Sequence, residues 1–159
     1  MQKMKLLLII FRVFLLSPAL FAQHSEIKWL PFEQLEDSLA LKPKKVFIDF
    51  YADWCVYCKK MDEAAYKNVE VIKILNSEYY AVKMNAETRD TIIFDGQVYR
   101  NKAYGKKRNP VHEIPLLLAS REGIPFSLPA LVLFDENFQI TKRYFEYISP
   151  KKMLKVLNE

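Results

Sequence analysis

Val46-Phe47-Ile48-Asp49-Phe50-Tyr51-Ala52-Asp53-Trp54-Cys55-Val56-Tyr57-Cys58 decides how this chain is to be read. Residues 46–51 are apolar or β-favouring except for Asp49, and Lys44 and Lys45 precede them. A run of that length fits a strand buried on both faces. Residues 59–66 are mostly good helix formers. A C-x-x-C pair therefore falls where a buried strand gives way to a helix. The N-terminus of a helix offers partial positive charge and unpaired N–H groups, and both stabilise a thiolate. Cys55 is thus the expected nucleophile. Cys58, one turn on and on the same side, is placed to attack a mixed disulfide formed at Cys55.

Three plainer roles compete at this point. A structural disulfide across so short a loop would remove little chain entropy. A structural zinc site needs four ligands, and the chain has two cysteines and two histidines, one of them the remote His24. Two ordinary buried cysteines sit poorly with Trp54 immediately before them.

The segment V-F-I-D-F-Y-A-D-W-C-V-Y-C-K resembles the active-site segment of the thioredoxin superfamily. In particular it resembles the C-terminal periplasmic domain of the transmembrane electron transporter DsbD and small exported thioredoxin-like proteins of bacteria. W-C-x-x-C on a strand-to-helix junction carries far more information than C-x-x-C alone. The resemblance covers residues 26–158 apart from about 90–119. It implies an α/β fold, thioredoxin-like, with a mixed central sheet, helices on both faces and an insertion before a cis-proline strand.

The same resemblance assigns roles. Cys55 attacks, Cys58 resolves, and Asp49, an acid in a buried strand, handles protons for Cys58 through water. An uncompensated acid there is otherwise expensive. Lys83 matches a position at which thioredoxins often carry a lysine beside the buried acid. Ser127-Leu128-Pro129-Ala130 resembles the start of the cis-proline strand, so Pro129 is expected opposite the cysteines, with Leu128 touching substrate and Trp54 shaping the groove. Thr or Val is usual at the Leu128 position. Pro125, in Gly123-Ile124-Pro125, offers a competing register. Pro129 is preferred because an apolar strand follows it directly. Asp53 is read as a helix cap or a surface acid.

Chain length, 159 residues, points to one domain behind a short leader. Lys3 and Lys5 precede an apolar run from Leu6 to Leu16, and Ser17-Pro18-Ala19-Leu20-Phe21-Ala22 ends in a small residue. Residues 1–22 read as an export signal cleaved after Ala22, with Ala19 second, and residues 23–159 as the domain. A membrane anchor is the alternative, but the run is short for a span and contains Arg12. Without Lys3, Lys5 and Arg12 the 24 basic residues become 21 against 19 acidic ones, a net charge of +2 rather than +5. Nucleic-acid binding is therefore not expected.

The rest follows in order. Residues 26–30 suggest an edge strand or lead-in, and 32–41 a helix. Residues 55–66 suggest the active-site helix with a break near Lys67-Asn68. A helix is expected over 69–75 and a strand over 78–85. Asn85 and Pro129 stand 44 positions apart, much more than in compact members of the superfamily. Residues 94–99 suggest a strand pair turning at Asp95-Gly96. Arg100, Lys102, Lys106, Lys107 and Arg108 suggest a solvated loop or a docking surface for an acidic or membrane-bound partner. His112 lacks companions for a metal site. A short helix is expected over 114–120, a last strand over 140–145, and a closing helix capped by Ser149-Pro150.

The expectation is an extracytoplasmic thiol–disulfide oxidoreductase, periplasmic after signal cleavage. It would act as a monomer on protein disulfides and dithiols, with no cofactor beyond a redox-active Cys55–Cys58 disulfide. The intervening Val56-Tyr57 contains no histidine, a residue that helps make strong oxidants. This favours a reductase or electron relay fed by a membrane electron transporter, ahead of an oxidase or isomerase. A Cu(I) chaperone built on the two thiolates is disfavoured by the absence of a nearby Met- or His-rich set. A binding module working through the insertion is the remaining alternative.

Overall fold

A computed structural model describes residues 26–159. The export-signal reading of residues 1–22 lies outside them. Four strands form one sheet in the order β2-β1-β5-β6. β1 (Lys45–Tyr51) pairs in parallel with β2 (Tyr79–Asn85) and antiparallel with β5 (Ala130–Phe134), which pairs antiparallel with β6 (Ile140–Tyr144). The sheet is mixed, and β1, at its centre, is buried from Val46 to Phe50.

Alternation along β1 and β2 sorts their side chains to two faces. Phe47, Tyr79 and Ala81 pack with Met61, Tyr66, Leu75 and Met153, from α2 (Val56–Glu63), the 3₁₀ turn Ala65–Lys67, α3 (Val69–Glu78) and α5 (Pro150–Leu157). Val46, Ile48, Phe50, Val82 and Met84 pack the other way, against Phe32, Leu35 of α1 (Leu35–Leu41) and Ile114 of α4 (Glu113–Ala119). Helices therefore cover both faces, as the buried run in β1 required.

Local signals place the element ends. Asn68 caps α3, its Oδ1 accepting from Glu70 and Val71 N–H at 3.1 and 3.2 Å. Ser149 caps α5 ahead of Pro150. Asp95 and Gly96, both at positive φ, turn the hairpin of β3 (Ile92–Phe94) and β4 (Gln97–Tyr99). Asp-Gly is the residue pair that such a turn favours.

Two local expectations need correction. The active-site helix ends at Glu63, and Ala64 (φ −121°, ψ −70°) breaks it before the 3₁₀ turn that buries Ala65 and Tyr66. The segment 32–41 opens as a 3₁₀ turn, Phe32–Gln34, before becoming α-helical. Of the two readings of residues 26–30 the lead-in stands, tied to the sheet by one parallel bridge, Leu30 to Val82.

Candidate active site

Register brings the candidate residues to one end of the sheet. β1 runs toward that end and finishes at Tyr51 opposite Asn85. β5 runs the other way, so its first residue, Ala130, lies opposite Phe50. The β1–α2 junction and the segment ending at Pro129 are thereby neighbours, although 71 positions separate Cys58 from Pro129 in sequence. The Leu128–Pro129 peptide is cis, and Pro129 is buried.

Cys55 and Cys58 are joined by a disulfide with Cα atoms 5.3 Å apart. Cys55 is the N-cap of α2: its Sγ accepts from Cys58 N–H at 3.2 Å, and its own N–H donates to Ala52 C=O. Asp53 is exposed and makes no cap, so of its two expected roles only the surface acid stands. Both cysteines are about nine-tenths or more covered, each 3% exposed, whereas Trp54, Val56 and Tyr57 are 53%, 73% and 57% exposed. The reactive pair thus sits within an exposed apolar and aromatic collar. Trp54 Nε1 donates to Glu87 Oε1 at 3.0 Å, and Tyr57 packs near Tyr147 with ring centroids 6.3 Å apart.

Beneath α2 lies an acid without a partner. Asp49 belongs to the β1 face that Met61 and Tyr66 cover, and it is 1% exposed. Loss of hydration pushes its carboxyl up to about 7; the Lys83 charge opposes the rise, and Asp62 adds to it. The Tyr66 hydroxyl faces the carboxyl and tempers the rise, yet lies off hydrogen-bond geometry. Both Asp49 oxygens and Tyr66 Oη are therefore buried without a hydrogen-bond partner. Burial and the neighbouring Asp49 push the Tyr66 phenol well above its ordinary range.

Lys83 lies directly across from Asp49 in the β1–β2 register. Its ammonium pairs with Asp62 and lies 5.0–5.6 Å from the ring centres of Trp29, Tyr51 and Tyr66. Asp62, Tyr66 and Trp29 were not singled out from sequence. Asp62 follows Cys58 by four positions, which puts both on one helix face, a spacing that could have flagged it. Glu87 had no such signal, since it lies in a loop and reaches Trp54 only through the fold.

His112 is structural. It is fully buried and caps α4, with Nδ1 accepting from Ile114 N–H at 3.1 Å and Nε2 facing Asp90 C=O at 3.2 Å. Its N–H donates to Ala86 C=O. These bonds close the base of the segment between β2 and α4. Burial lowers its pKa. Among the described residues no cluster of three or more His, Cys, Asp or Glu could hold a metal ion.

The family model of the thioredoxin-like domain matches residues 32–159. Thiol:disulfide interchange protein DsbD of Yersinia enterocolitica is 33% identical over 88 residues, covering 51% of this chain and 13% of that protein. The DsbD of Salmonella typhi is 32% identical over 108 residues, covering 67% and 15%. The chain therefore matches only a small part of these relatives' length. A thioredoxin from Thermus thermophilus superposes with a TM-score of 0.57 at 18% identity, covering 84% of this chain and 85% of that one. A DsbH oxidoreductase gives 0.56 at 16%, covering 84% and 83%. These two structures share the fold. With the matched domain spanning most of its length, the chain belongs to the thioredoxin-like family.

Proposed function

We propose that this protein is an extracytoplasmic thiol–disulfide oxidoreductase that reduces protein disulfides or relays electrons to them. The observation that carries the proposal is Asp49: a buried, unpartnered acid pushed up to about 7, on the sheet face that α2 covers through Met61. A structural disulfide has no use for such a group, and a fold keeps one only at a cost.

In the reduced protein, Cys55 thiolate attacks one sulfur of a substrate disulfide. The substrate S–S bond breaks, a Cys55–substrate bond forms, and the other substrate sulfur leaves as thiolate. Asp49 accepts the Cys58 proton through water. Cys58 thiolate then attacks Cys55 Sγ, closing the intramolecular disulfide and releasing the second substrate thiolate. Two electrons pass from the cysteine pair to the substrate; the proton that Asp49 took from Cys58, and one from solvent in place of the proton lost when Cys55 ionised, end on the substrate sulfurs. The Cys58 N–H already directed at Cys55 Sγ, together with the start of α2, would stabilise the attacking thiolate. Trp54, Val56 and Tyr57 offer apolar contact around the pair, and Leu128 and Pro129 offer backbone for strand-like pairing. Lys83 tunes Asp49 through its charge.

The reducing direction is supported by Val56-Tyr57, which places no histidine between the cysteines. A reductant outside the cytoplasm needs electrons, and similarity to part of DsbD supports a membrane electron transporter as their source. The export-like residues 1–22 support the location. No helix among the described residues is long and apolar enough to cross a membrane.

The test is the reduction potential of the Cys55–Cys58 couple in glutathione and dithiothreitol buffers. A value near or below about −230 mV is expected. A value of about −120 to −180 mV would mean an oxidase or isomerase, and no reversible couple would end the enzyme proposal.

A further inference from the structure

The loop before Pro129 carries a side-chain clamp that the exchange chemistry does not require. Arg121 opens a tight turn with Glu122, Gly123 and Ile124: Ile124 N–H donates to Arg121 C=O at 3.3 Å, and the two residues form an antiparallel bridge. Gly123, at φ +66°, takes the left-handed position that glycine adopts without strain. The Arg121 side chain reaches past the turn. Its guanidinium carbon lies 3.9 Å from the Phe145 ring centre, and Nη2 donates to Ser127 Oγ at 2.8 Å.

Both targets lie at the reactive end of the sheet. Phe145 follows Tyr144, which pairs with Leu131, so it flanks the start of β5. Ser127 and Leu128 stand outside the ladder, which begins at Ala130, leaving their backbone available to an incoming strand. A planar guanidinium can stack on a ring and donate in its plane together; a lysine ammonium cannot do both from one position.

We infer that Arg121 is a positioning residue for protein substrates: it braces the Ser127–Leu128 backbone against β6 so that an extended polypeptide can pair beside the disulfide. This rests on the exchange activity proposed above. Bracing matters to a substrate that binds along the backbone. A small aromatic disulfide, which needs only access to Cys55, does not depend on it.

The test compares Arg121→Ala, Arg121→Lys and the full-length wild type on two oxidants. Insulin, a protein disulfide, is turned over with dithiothreitol as the recycling reductant against a protein-free control. 5,5′-Dithiobis(2-nitrobenzoate), a small one, is mixed with pre-reduced protein freed of dithiothreitol. For Arg121→Ala the KM for insulin should rise about tenfold, the scale of one charge-assisted hydrogen bond, with kcat nearly unchanged. The rate at which the pre-reduced protein reacts with the small disulfide, and the reduction potential, should not move. Arg121→Lys keeps the charge and most of the packing, so it should fold even if the alanine variant does not, and should show the same selective rise. An unchanged insulin KM in a folded variant would overturn the inference. So would equal losses on both substrates, which mark a general structural role. A wild type that reduces neither substrate would instead remove the exchange activity itself.

Discussion

Replacing Asp49 with asparagine should make the protein more stable at alkaline pH while slowing its chemistry. Asp49 is buried, and its carboxyl is pushed from an ordinary 3.8 to about 7. A folded-state pKa above the unfolded value means that the native state holds the proton more tightly. The stabilising contribution is complete below pH 3.8 and is lost as pH rises through 7. About three units at roughly 1.4 kcal/mol each give about 4 kcal/mol for the complete loss, of which about 3 kcal/mol falls between pH 4.5 and 8.5. Asparagine cannot ionise, and its fixed packing difference cancels in a comparison across pH. Urea unfolding of the oxidised wild type and Asp49→Asn at several pH values measures this directly. The variant's stability relative to wild type should climb by about 3 kcal/mol over that interval. Two curves that stay parallel within about 0.5 kcal/mol would show that Asp49 is not held proton-rich by burial, and its role as proton acceptor would fall with that result.

Other expectations concern the same end of the molecule and its supports. Cys58→Ser should accumulate a mixed disulfide between Cys55 and a protein substrate, visible by mass spectrometry, while Cys55→Ser should form none; capture by Cys55→Ser alone would reverse the assigned roles. Lys83→Met removes a charge that lowers the Asp49 pKa, so the Asp49 carboxyl carbon should titrate at higher pH in the oxidised protein, and a downward or absent shift would contradict the electrostatics. His112→Ala leaves the Ile114 N–H without its Nδ1 acceptor and should cost about 2 kcal/mol or more. Because burial lowers the His112 pKa from 6.5, wild-type stability should fall as pH drops below 6.5, and the variant should lack that component.

Much of this was legible from local chemistry. The buried run 46–51, the helix formers after Cys58, Asp95-Gly96 and Ser149-Pro150 each specify geometry through neighbours in the chain, and the central strand, the active-site helix, the hairpin turn and the last cap follow them. Residues whose partners are distant were harder to read. Asp62 looks like an ordinary helix-surface acid until β2 brings Lys83 beneath it. His112 looks solitary because its hydrogen-bond partners include Asp90, 22 positions away. The break at Ala64 has no glycine or proline to announce it, yet it lets Tyr66 turn inward toward Asp49.

Sequence alone determined which atoms can react and on what kind of backbone they stand. Two cysteines at a strand-to-helix junction behind a tryptophan are a matter of covalent spacing and helix polarity, both local. Tertiary structure decided what those atoms feel. Only the parallel pairing of β1 with β2 sets Lys83 across from Asp49, and only the antiparallel return of β5 brings Leu128 and Pro129 to the end of the sheet that holds Cys55. Burial, charge and the loss of water act through space, and the pKa of Asp49 is the sum of groups that the chain order keeps far apart.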